Sequence, residues 1–156
     1  MRRLMTAMTM VAGLTGLALA QATDTTNMDI LRQKIKADKK LVVAENLKLT
    51  DAEGTAFWPV YDAYQQGLRQ SNERMAKLVL SYAEAYNKGP VTDAAAKTLI
   101  TEAVAINDAE ARLHSSYAPK VLAVLPAGKA ARYLQMENKI RAAVRYELAA
   151  AIPLVY

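Results

Sequence analysis

The sequence predicts an all-α protein of four helices with a long central antiparallel hairpin. Three observations predict it. Apolar residues recur at steps of three, four and seven over most of the chain, which is one face of a helix. No segment alternates with period two over a useful length, so no sheet is expected. Threonine caps and Gly/Pro clusters fall where the apolar runs begin and end.

The first twenty residues read differently from the rest. Arg2 and Arg3 form a positive start, Leu4 to Leu19 carry no charge, and Ala18-Leu19-Ala20 and Ala20-Gln21-Ala22 are overlapping A-x-A cleavage signals. This is the pattern of a secretory signal peptide, residues 1–20, cut after Ala20 or Ala22. The apolar run is shorter than the roughly 18–20 residues that span a bilayer comfortably. Arg2-Arg3 lacks the Ser before and the Phe-Leu-Lys after it that a twin-arginine signal carries. No Cys follows the run, so a lipid anchor is not expected. The expected product is a single helical domain, residues 21–156, in the periplasm or outside the cell.

Charge and cysteine count narrow the classes. Loss of Arg2 and Arg3 takes the formal net charge from +5 to +3. That excess allows weak attraction to anionic membrane surfaces but does not argue for nucleic acid. Cys is absent, so stability in an oxidising compartment must come from helix packing. Thiolate metal sites and thiol catalysis are also ruled out.

Each element has its own signals. Gln21 to Asn27 is polar and expected to fray. Met28, Leu31, Ile35, Val42 and Leu47 mark a first helix from about Met28 to Asn46, with Asp38 and Lys39 interrupting its apolar side. Leu49-Thr50-Asp51-Ala52-Glu53 opens the second helix. Thr50 suits the N-cap and Glu53 sits where it can complete a capping box. Asp51 and Glu53 also place negative charge at the positive end of the helix dipole. Phe57, Tyr61, Tyr64, Leu68, Met75, Leu78, Tyr82 and Tyr86 then share one face, with Ser71 its soft spot. Pro59 is expected to bend this helix, and Asn87-Lys88-Gly89-Pro90 to end it with Asn or Gly as a left-handed cap.

Thr92 caps a third helix, whose face is Leu99, Ala103, Ile106, Glu110, Leu113, Tyr117, Val121 and Val124. Pro119 is expected to bend or break it. Pro126 suits the first turn of a fourth helix, running from about Ala127 to Ala150 with Tyr133, Met136, Ile140, Val144 and Leu148 on one side. The short turn between the second and third helices makes them antiparallel neighbours.

Chemistry is sparse. His114 is the single histidine. With Glu110 one turn away it could at most hold a metal weakly, because a defined site needs more ligands. There is no phosphate loop, no G-x-S-x-G and no recognisable carboxylate pair. The chain therefore reads as a non-enzyme with no cofactor, no metal and no catalytic residue. Phe57, Trp58, Tyr61 and Tyr64 cluster within two turns and read first as core or dimer packing, then as a partner-binding patch. Lys129, Arg132, Lys139, Arg141 and Arg145, interleaved with Glu137 and Glu147, read as a solvated face. Its arginines Arg132, Arg141 and Arg145 are candidates for docking an acidic partner.

The chain resembles the Spy/CpxP group of periplasmic stress proteins, the LTXXQ-motif family. Leu49, Thr50 and Glu53 match the motif with Glu in place of the final Gln, and Leu125, Pro126 and Lys129 stand where a second copy would lie. Lys129-Ala130-Ala131-Arg132-Tyr133-Leu134-Gln135-Met136-Glu137 and Phe57-Trp58-Pro59-Val60-Tyr61 are also similar to exported bacterial helical proteins of unassigned role. The resemblance implies a curved helical homodimer that holds unfolded proteins without ATP, or docks on an envelope stress sensor. Alternatives are a metal- or stress-sensing accessory protein of the envelope and a structural envelope component without clients.

Overall fold

A computed structural model describes residues 38–155. The expected signal segment, residues 1–20, and the part of the expected first helix before residue 38 lie outside them. The chain divides into two compact units, Met1–Val42 and Val43–Tyr156. In the first unit the described residues, 38–42, are helical, and the Leu41 amide donates to Asp38 Oδ1 at 3.0 Å. This is the start of a described helix, α1, over residues 38–47. The second unit continues it over 43–47 and adds α2 (Asp51–Asn87), α3 (Asp93–Val124) and α4 (Ala127–Ala151). Among the described residues all regular structure is helical.

The two threonine caps fall where the sequence places them. Lys48 adopts φ +46°, a left-handed residue that stops α1. Its amide still bonds the Ala44 carbonyl at 3.2 Å. Two residues later Thr50 caps α2, and both halves of its capping box form: Glu53 N donates to Thr50 Oγ1 at 3.3 Å and Thr50 N to Glu53 Oε2 at 2.7 Å. Thr92 caps α3 with its side chain alone, accepting from the Ala95 amide at 3.3 Å. The positive φ after α2 falls on Gly89, at +124°, where the missing Cβ removes the penalty. Pro126 stands at the N-cap of α4, one position earlier than expected, with no side-chain hydrogen bond.

Neither interior proline breaks its helix. α2 runs 37 residues through Pro59 and α3 runs 32 through Pro119, so α2 is about 55 Å long at ~1.5 Å per residue. Both prolines are exposed, so each ring faces solvent rather than the packed seam.

Three contacts set the hairpin: Tyr64 meets Tyr117, Gly67 meets Leu113, and Arg74 meets Glu102. Numbers rise on α2 as they fall on α3, so the pair is antiparallel. α4 returns beside both. Glu53 meets Lys129, Phe57 meets Tyr133, Gln65 meets Glu137 and Tyr82 meets Pro153, which makes α4 parallel to α2.

The core lies at one end of this arrangement. Phe57, Tyr61 and Tyr64 from α2, Val121 and Leu125 from the end of α3, and Ala130 and Tyr133 from α4 close on Val43 and Leu47. Four of these residues are aromatic. Phe57 packs edge-on to Tyr133 with ring centres 5.0 Å apart, and Tyr64 sits 5.4 Å from Tyr117. Pairs at such angles add about 0.5–1.5 kcal/mol each beyond their buried area.

Candidate functional site

The predicted face of α2 turns inward along its whole length, and so does that of α3, but the depth of burial changes sharply. No residue from 72 to 105 is fully buried. Over this distal half the hairpin is two helices sharing a half-buried seam of Met75, Leu78, Val79, Tyr82, Tyr86, Leu99 and Ala103. Arg74 clamps the base of the seam, donating from Nε and Nη2 to both oxygens of Glu102 at 2.9 and 3.1 Å. The pairing holds the Glu102 carboxyl below its usual range and raises the Arg74 guanidinium.

Large apolar side chains stand in solvent on this distal half. Leu80 is 65 % exposed, Ile100 64 % and Val104 54 %. Tyr146, Leu154 and Val155 are exposed on and beyond α4. Scattered apolar residues are normal on a surface. Here they lie on stretches of helix that bury nothing fully, so the arm offers exposed apolar side chains beside a seam without a closed core beneath it.

The aromatic cluster occupies a different place. Phe57, Tyr61 and Tyr64 are core residues, closed to any partner in this conformation. Trp58 is half-buried at their edge, 5.1 Å from Phe57 and 5.4 Å from Tyr61 between ring centres. Its indole lines an open groove of about 450 Å³ with Ala44, Leu49, Thr50, Asp51, Gly54 and Thr55. Of the four aromatics, Trp58 is the one that lines this groove.

Four of the five basic side chains of α4 are engaged within the chain. Arg145 Nη2 donates to Glu110 Oε2 at 2.7 Å and to Asn107 Oδ1 at 3.0 Å. Arg141 approaches Glu110 Oε1 at 3.8 Å and donates to Asn138. Arg132 donates to the Asn46 carbonyl at 3.1 Å. Lys129 donates to the Lys48 carbonyl at 2.9 Å and to Glu53 Oε2 at 2.6 Å. Glu53 is held below its usual range mainly by the Lys129 bond, then by the Thr50 amide.

The two motif segments thus meet. Leu49–Glu53 and Leu125–Lys129 are joined through their last residues, Glu53 and Lys129, which form an ion pair. Leu49 is half-buried against the core and Leu125 is buried in it, while Gln135 is exposed.

Two expectations for α4 are corrected. Glu137 is not on a solvated face: it is 3 % exposed, accepting from Gln65 Nε2 at 3.0 Å. Val144 is not on the inner side; it is 47 % exposed. Tyr133 and Glu137 are one turn apart, and that spacing was the available signal for the first. The apolar count favoured Met136 instead.

Beside Glu137 the Tyr133 hydroxyl is buried without a hydrogen bond of good geometry, as is His114 Nε2. Burial, then the Glu137 carboxylate, push the Tyr133 and Tyr64 hydroxyls well above their usual range. Among the described residues no three His, Asp or Glu side chains gather at metal-binding distance, and no helix is long and apolar enough to cross a membrane.

No family model matches the chain, and no curated protein or solved structure matches it.

Proposed function

We propose that this chain is an exported, ATP-independent, chaperone-like binding protein that holds partly unfolded proteins on its distal helical arm. The observation that carries the reading is the arm itself: a continuous helical pair with no fully buried residue from 72 to 105 and with Leu80, Ile100 and Val104 exposed on it. Broad, weak apolar contact needs such a surface, and no energy source is required to use it. The secretory pattern of residues 1–20 and the resemblance of Leu49–Glu53 to the LTXXQ motif support the same reading. Periplasmic localisation, homodimerisation and the absence of catalysis belong to it as proposals.

The test is aggregation of a reduced, unfolding client followed by light scattering. The mature chain is expected to suppress scattering at near-stoichiometric ratios. The triple variant L80S/I100S/V104S is expected to fold normally and lose most of the effect. No suppression by the mature chain at severalfold excess overturns the reading.

A further inference from the structure

We propose that the second half of α4, residues 138–151, is a releasable strap on the hairpin, clipped through Glu110 of α3. The proposal deepens the chaperone-like reading, and its role in client access rests on that reading.

The two halves of α4 are held by different physics. Ala130, Tyr133 and Glu137 are its buried residues, and all lie in the first half. There the aromatic core anchors the helix: Tyr133 alone touches the rings of Phe57, Tyr61 and Tyr64. Beyond Glu137 no residue up to Val155 is fully buried. Ile140 and Leu148 are only half-buried, and Val144 and Tyr146 face solvent.

Both arginines of the second half reach one short stretch of α3. Glu110 receives both Arg141 and Arg145, and Asn107, one turn earlier, receives Arg145 as well. The Glu110 side chain is 14 % exposed, its arginine partners 31 % and 50 %. At the far end Tyr82 Oη donates to the Pro153 carbonyl at 2.9 Å. α4 therefore has a hydrophobic anchor at its start and polar clips beyond.

Partly exposed ion pairs are weak and screened by salt. Segments with few buried apolar contacts open locally far more often than the whole molecule unfolds. Opening at the clip would keep the aromatic core intact. It would free the sides of α2 and α3 that α4 runs beside, between the Glu110 clip and the Tyr82 bond, next to the exposed residues of the arm.

Amide hydrogen exchange on the mature chain tests this. Amides of 140–147 are expected to exchange about tenfold faster than those of 130–137. Salt at about 0.5 M should speed exchange of 140–147 severalfold in the wild type. In Glu110→Ala the same amides should already be fast and insensitive to salt, while 130–137 are unchanged. Simple fraying of a helix end would respond to neither salt nor Glu110. Equal protection of both halves, or a uniform change along α4 in Glu110→Ala, overturns the strap.

Client binding separates the two proposals. If release governs access, Glu110→Ala suppresses aggregation at a lower ratio than the wild type; equal suppression by both overturns that role. If neither form suppresses aggregation while the exchange contrast holds, the chaperone-like reading falls and the strap stands.

Discussion

Tyr133 sets two demands against each other at a single residue. Its ring is 1 % exposed at the centre of the aromatic core, and its hydroxyl is buried beside Gln65 without a hydrogen bond of good geometry. A buried hydroxyl without a partner costs about 1–3 kcal/mol, whereas loss of a buried aromatic ring costs about 3–5 kcal/mol. Tyr133→Phe is therefore expected to leave stability unchanged or raise it by about 1 kcal/mol, and Tyr133→Ala to lose at least about 3 kcal/mol. Denaturant unfolding of both variants checks the difference. A clear loss in Tyr133→Phe would mean that the hydroxyl has found a partner in solution. The sequence marks Tyr133 as inward-facing from its spacing alone. It does not mark Glu137, because a charged side chain four residues on is read as solvated until Gln65 is seen to reach it from α2.

Gly67 shows how closely the hairpin elements approach. A Cβ placed there would lie 2.6 Å from Leu113 Cδ1 and 3.0 Å from Cδ2. Alanine gains about 1 kcal/mol of helix propensity over glycine, but forcing a methyl into a packed seam costs about 1–3 kcal/mol. Gly67→Ala is expected to destabilise the fold by about 1 kcal/mol net. The same change made in a Leu113→Ala background should be neutral or stabilising, a coupling that thermal unfolding of the four-member cycle reads directly. Gly67 appears in the sequence only as a weak point in a helical run, since its partner lies 46 residues away and nothing local announces it. The starts of α2 and α3 are legible for the opposite reason: Thr50, Glu53 and Thr92 act within one turn of themselves. The prolines fall between these cases. Pro59 is expected to bend its helix and Pro119 to bend or break its own, and both helices run on unbroken through them, packed along their other side.

For the whole molecule, ionisable groups bound the pH range of greatest stability. Folding holds the Glu53 and Glu102 carboxyls below their usual pKa of 4.5. The folded chain then binds fewer protons than the unfolded chain as pH drops below that value. The contribution is complete above it and is lost as pH falls through the lowered values. Folding holds the Tyr64 and Tyr133 hydroxyls above their usual 10.0. Their contribution is complete below that value and is lost as pH rises beyond it. Thermal midpoints measured across pH should be flat between these limits and fall on both sides. In Lys129→Met the acid limb should shallow, since the largest cause of the Glu53 shift is gone. An unchanged acid limb would place the acid sensitivity elsewhere. The all-α architecture, the hairpin and the inner faces of α2 and α3 were legible from periodicity and caps. The gradient from a closed core to an open arm was not, because the same apolar spacing serves a fully buried face and a half-covered seam. That gradient makes reach a property separate from folding. With no fully buried residue between 72 and 105, facing seven-residue segments could be removed from or added to α2 and α3. Each such pair changes the arm by about 10 Å while leaving every residue of the aromatic core in place, so the length of the arm is set by counting turns.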